Sequence, residues 1–309
     1  ILIHMRLFLT IFLFLSITAS ANFETVIKDQ KFRDNFNLGP EENFVDLVEG
    51  FTYFKTNISQ ECSEYYILVH GFSVPSYILD PVYYLLSEKS YCVVALDLYG
   101  RGFSENINKP YTDRLFAKQT LQLLDYLNIK TATFLGLSNG GRVISKIADI
   151  KPQAVNALIY IASSGFLESE ERDDKSVSQK EIDDLIGQYP SLIESQLSDF
   201  KYPEKYPDWI TKYAELTKYK GFAKALLSTR NNHTSLDDIH KKINQSDIPI
   251  FTIWGESDEV VPYDTFKEKI EVIFSRRNEF FIDETGHLPH MENPEQFNDY
   301  LMNILEKIN

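Results

Sequence analysis

The chain has 309 residues, 43% hydrophobic and 14% aromatic, enough for a sizeable core in one large domain or one domain with an insertion. With 25% charged residues it is not a globally disordered chain. A net charge of -14 disfavours nucleic acid and anionic membranes as partners.

Met5-Arg6 is followed by the apolar run Leu7–Ile17 and then by Thr18-Ala19-Ser20-Ala21. A basic start, a short apolar stretch and small residues predict a secretory signal over residues 1–21, cleaved after Ala21. The run falls short of the ~20 residues of a membrane span, so no stable anchor is expected. Loss of the leader removes Arg6 and no acid, which suits a soluble secreted or periplasmic protein. Cys62 and Cys92 are the two cysteines, and an even pair in an exported chain suggests one disulfide.

Short apolar strands then alternate with amphipathic helices, the pattern of a parallel sheet covered on both faces. Strands are predicted at Phe51–Lys55, Tyr65–Val69 and Tyr91–Leu96. Thr112 or Asp113 caps a helix carrying Leu115, Phe116, Leu121, Leu123, Leu124 and Leu127. Thr131–Leu137 is a strand running into Ser138, and Val143, Ile144, Ile147 and Ala148 mark the next helix. Further strands are predicted at Ala157–Ala162, Pro249–Trp254 and Asn278–Ile282, with a closing helix over Asn298–Ile308. From Ser163 to Asp247 the strand rhythm stops. Ser178–Glu181 reads as a capping box, and the stretch is expected to be an inserted helical cap. The domain reading is a core of 22–162 and 248–309 with a cap over 163–247.

The chemistry centres on "GLSNGG", residues 136–141. A strand, a tight turn and a helix around a serine flanked by glycines expose its hydroxyl at the top of the sheet. Glycine-rich turns also bind phosphate, but this turn holds no G-x-G-x-x-G and no Lys-Ser/Thr pair. A serine needs a base, and the base an orienting acid. Asp258 follows one predicted strand and His287 follows the next. Glu256 and Glu259 are rivals to Asp258, and His290 to His287. Gly286 lets the His287 loop approach the serine, and His290 is expected to be structural. The backbone N–H groups of Phe72 and Asn139 are the expected oxyanion donors, with His70 bracing the Phe72 loop.

In their order along the chain, "HGF" (70–72), "DLYGRGFS" (97–104), "GLSNGG" (136–141), "WGESD" (254–258) and "GHLPHMENP" (286–294) resemble the α/β-hydrolase-fold superfamily, in its capped form. The resemblance spans nearly the whole mature chain. It implies an α/β-hydrolase fold, with a mostly parallel sheet flanked by helices and an inserted helical cap. It also implies Ser138 as nucleophile, Asp258 as acid, His287 as base, and Phe72 and Asn139 as oxyanion hole. Serine at the nucleophile position argues against the superfamily's epoxide hydrolases and haloalkane dehalogenases, which carry aspartate there. The family's sheet places Tyr65–Val69 beside Tyr91–Leu96, bringing Cys62 and Cys92 together near the strand starts.

The leading expectation is a secreted serine hydrolase of carboxylic or lipid esters. No metal or other cofactor is called for. Phe166, Tyr189, Tyr206, Trp209 and Phe222 are candidates for an apolar acyl pocket. A carbon–carbon bond hydrolase of the meta-cleavage type, an aminopeptidase and a non-catalytic small-molecule binding module are the alternatives. Asn57, Asn232 and Asn244 begin glycosylation sequons.

Overall fold

The computed structural model describes residues 23–58, 62, 64–167 and 175–308; the expected leader lies outside the described residues. The strands are β1 (Glu42–Asp46), β2 (Phe51–Thr56), β3 (Tyr65–Val69), β4 (Cys92–Leu96), β5 (Ala132–Leu137), β6 (Val155–Ile161), β7 (Ile250–Gly255) and β8 (Asn278–Ile282). They form one sheet in the order β1-β2-β4-β3-β5-β6-β7-β8. β1 pairs with β2, and β2 with β4, antiparallel; every other pairing is parallel.

Twelve helices lie among the described residues. They are α1 (Gln30–Asp34), α2 (Asp80–Glu88), α3 (Asp113–Tyr126), α4 (Asn139–Ile150), α5 (Gln179–Gly187), α6 (Tyr189–Ser195), α7 (Trp209–Leu216), α8 (Phe222–Asn231), α9 (Asp237–Gln245), α10 (Lys267–Ile273), α11 (Pro289–Glu292) and α12 (Pro294–Ile308).

The central strands are mostly apolar and buried along nearly their whole length because helices cover both faces. Along β3, Ile67 and Val69 pack with Phe116 and Leu124 of α3 and Val143 and Ile147 of α4. Tyr66 and Leu68 point the other way, into a cluster with Val82 and Leu86 of α2 and Leu301 and Ile304 of α12. Fully burying such a side chain contributes about 1.5–3 kcal/mol. Thr112 caps α3 by accepting from the Leu115 N–H, as expected. No described helix is long and apolar enough to cross a membrane.

Helices α5 to α9 lie between β6 and β7. The Ser178–Glu181 capping box starts α5. The last of them, α9, belongs with the core layer: its His240 Nε2 lies 3.0 Å from Ser145 Oγ of α4, and its Ile243 joins the α3–α4 cluster. A strap at the start of the described chain ties these helices down. Glu24 and Val26 donate backbone hydrogen bonds to Thr217 and Lys218. The Glu24 carboxylate accepts from Tyr189 Oη at 2.6 Å, Gly221 N at 2.7 Å and Ala223 N at 2.6 Å. Further along, Lys28 Nζ donates to the Gly102 carbonyl of the core at 3.0 Å.

Cys62 and Cys92 form a disulfide with Cα atoms 6.2 Å apart. Cys92 opens β4, opposite Tyr65 of the parallel β3. The bond therefore staples the strand starts, away from the ends that carry the site.

Candidate active site

Ser138 stands between β5 and α4 with φ 52° and ψ -116°. A non-glycine residue holds that conformation only under restraint. Its N–H donates to Ile161 O at 2.8 Å, and its carbonyl accepts from Gly141 N at 3.0 Å and Ser164 N at 3.2 Å. The turn is tight enough that a Cβ on Gly136 would sit 2.6 Å from the Gly140 carbonyl. Gly140 in turn lies against the Val69 carbonyl, leaving no room for a side chain.

His287 is brought in by the loop after β8, and Asp258 by the loop after β7. The histidine Nδ1–H donates to Asp258 Oδ2 at 2.8 Å. Asp258 Oδ1 accepts from the Val260 and Val261 N–H groups at 2.8 Å each, which fixes the carboxylate. The remaining ring nitrogen, Nε2, is the one available for chemistry. Burial alone would push the imidazole pKa down, but the carboxylates of Asp258, Asp199 and Glu292 outweigh it and hold it above the ordinary value. Glu292 also braces the loop, accepting from Gly286 N at 2.6 Å and Lys201 N at 2.8 Å. The His287 N–H donates to the Asp199 carbonyl at 2.8 Å.

The rival histidine, His290, has another partner. His290 Nε2 bonds the Ile78 carbonyl at 2.8 Å, and burial lowers its pKa to about 4. His70 Nε2 accepts from Leu98 N at 2.9 Å, so its Nδ1 carries the proton and donates to Gly71 O at 2.9 Å. It braces the Phe72 loop, and burial keeps it neutral, with a pKa of about 3.

Two residues that sequence reasoning missed act on Phe72 and Asn139. Arg101, 1% exposed, donates from Nε to the Phe72 carbonyl at 2.9 Å. His233 lies 2.8 Å from Asn139 Oδ1 through Nε2, and its ring meets that of Phe72 with centroids 6.3 Å apart. Burial lowers the His233 pKa to about 4, so a neutral Nε2–H donates to the amide oxygen. The one sequence sign at this position is the sequon Asn232-His233-Thr234, which points to a different chemistry.

A cavity of about 160 Å³ joins these parts; Gly71, Phe72, Ser138, Gln196, Asp199 and His287 are in its wall. A larger cavity of about 560 Å³ lies across the turn that follows Phe72, lined by Pro75, Ser76, Tyr77, Phe103, Trp209 and Tyr219 among others. Ser138 and His287 do not line it. The five aromatics expected from sequence to form an acyl pocket do not line the cavity at Ser138. Phe166 is buried against His240, Phe266 and Phe274. Tyr189 and Phe222 pack on each other, and Tyr206 stacks on Phe200. Of the five, Trp209 lines the larger cavity, and none lines the one at Ser138. Amphipathic insert helices spend their aromatics on packing against one another before any faces a ligand.

A sequence profile described as the alpha/beta hydrolase fold matches residues 67–294. The chain is 24% identical over 278 residues to the uncharacterized hydrolase YugF of Bacillus subtilis, covering 84% of this chain and 96% of that protein. A thermophilic esterase from Thermogutta terrifontis superposes with a TM-score of 0.68 at 20% identity, over 86% of this chain and 99% of its own. A meta-cleavage product hydrolase from Pseudomonas fluorescens superposes with a TM-score of 0.71 at 18% identity, over 86% and 98%. The superpositions show that the chain shares its fold with these hydrolases, and the profile match places it in the alpha/beta hydrolase fold family.

Proposed function

We infer that the protein is a serine hydrolase of carboxylic esters. The observation that carries this reading is His287, oriented by Asp258 at 2.8 Å and sharing one small cavity with the strained Ser138. Ser138 Oγ attacks the ester carbonyl carbon while His287 Nε2 takes the hydroxyl proton. The backbone N–H groups of Phe72 and Asn139 receive the developing oxyanion, each worth roughly 3 kcal/mol in the transition state. The intermediate collapses, the alcohol leaves with the proton from His287, and an acyl-enzyme remains. Water, deprotonated by His287, releases the acid and restores the serine.

The domain plan belongs to the same reading: a removed signal over 1–21, a core of 22–162 and 248–309, and a cap over 163–247. Export to the periplasm or the medium fits the disulfide of Cys62 and Cys92. The esterase named above supports the ester reading through its fold alone.

The test is turnover of nitrophenyl esters of graded chain length by the mature protein. Ser138→Ala should lower kcat by roughly a millionfold, and His287→Ala by a comparable factor. Ester turnover that survives Ser138→Ala would contradict the reading.

A further inference from the structure

The cavity beside Ser138 holds one carboxylate that the hydrolytic steps do not use. Asp199 comes from the short turn after α6. Its backbone carbonyl is pinned to the His287 N–H at 2.8 Å, so the residue moves with the histidine loop. Asp199 lines the cavity together with Ser138, His287 and Gln196, and its carboxylate lies close enough to the His287 imidazole for the two charges to interact. The rest of that wall is Gly71, Phe72, Ser73, Val74, Ile78, Leu137, Val260 and Leu288; it contains no lysine or arginine. Among the described residues no hydrogen bond reaches the Asp199 carboxylate. Lys201, two residues on, is spent on Glu284 at 2.8 Å.

An anion in a confined wall that offers it no lysine or arginine is costly unless something pairs with it. Burial pushes the Asp199 carboxyl up to about 6; His287 opposes this, while Asp258 and Glu292 add to it. At neutral pH the group is mostly ionised, and the one cation facing it is His287 when protonated, the state in which the histidine cannot act as a base. A substrate ammonium placed there would gain a charge-assisted hydrogen bond where water is scarce.

We propose that Asp199 is an ammonium subsite, so that the preferred substrates are esters carrying a protonated amine close to the scissile carbonyl. Gln196, beside it on the same wall, offers a neutral acceptor for a second N–H. This inference rests on the serine-hydrolase reading and narrows it to a substrate class.

The experiment compares matched esters in which an ammonium replaces a methyl group. The pairs are β-alanyl against butanoyl and ε-aminocaproyl against heptanoyl nitrophenyl esters, and aminoethyl against propyl acetate. All are measured at neutral pH, where these amines are protonated. In at least one pair the wild-type kcat/KM should favour the ammonium ester by about tenfold to a hundredfold, the equivalent of one charge-assisted bond. Asp199→Asn should collapse that ratio, and Asp199→Glu should restore part of it. Equal rates within every pair, or a preference unchanged in Asp199→Asn, overturn the subsite. So does a protein that fluorophosphonate labels at Ser138 but that turns over no ammonium ester. Failure of fluorophosphonate to label Ser138 overturns instead the reading beneath it. Labelling of Asp199→Asn by the same reagent shows that the variant is folded.

Discussion

Ser138 keeps its unusual backbone because neighbouring strands and the start of α4 hold its N–H and carbonyl. His287 is held in a different way, by charge: three carboxylates keep its proton on to higher pH than an ordinary imidazole would. The base works only when neutral, so activity on uncharged esters should fall as pH drops through a midpoint above the ordinary imidazole value. Asp199→Asn removes one of those negative charges, so its acid limb should lie at lower pH than that of the wild type. A kcat–pH profile of both proteins checks this, and coincident limbs would refute it. Ser138, Asp258 and His287 were legible in the sequence because each sits just past a strand with an obvious apolar run. His233 and Asp199 were not. Both come from the insertion, where tertiary packing alone decides which side chain reaches the sheet top.

The strap is the clearest case of one element stabilising several others. Glu24 accepts three hydrogen bonds, two from the backbone at the start of α8 and one from Tyr189 at the start of α6. Removing it leaves those partly buried donors without their acceptor and uncovers the positive end of α8. Glu24→Ala should therefore lower unfolding stability by about 2–3 kcal/mol, read from urea transitions; an unchanged midpoint would show that the strap is decorative. The main strands and α3, α4 and α12 were readable from periodicity. β1 was not, because "ENFVD" is an edge strand with only Val45 buried and so lacks an alternating signal. α2 was missed for a different reason: "DPVYYLLSE" has Pro81 in its first turn and buries a tyrosine as well as aliphatics, so its buried face of Val82, Tyr83 and Leu86 is short. The boundary of the insertion was blurred at α9, whose amphipathic pattern resembles its neighbours although it packs on α4.

Taken as a whole, the candidate site stands at the carboxyl ends of the parallel strands and the covalent staple near their starts. The strong negative charge is distributed over a surface in which most ion pairs are exposed. A buried exception, Arg142 with Asp113 at 2.8 Å, ties α4 to α3 directly behind the serine turn. The turn at Gln196–Asp199 closes one side of the small cavity at Ser138, and the rest of its wall comes from the loops at the sheet top. All of this matters to function only if Ser138 is a reactive nucleophile. The direct measurement is intact-mass and peptide mapping of the mature protein after fluorophosphonate treatment. The account predicts one adduct, on Ser138, abolished in Ser138→Ala and strongly slowed in His287→Ala. An unlabelled protein, or equal labelling of Ser138→Ala, would contradict it.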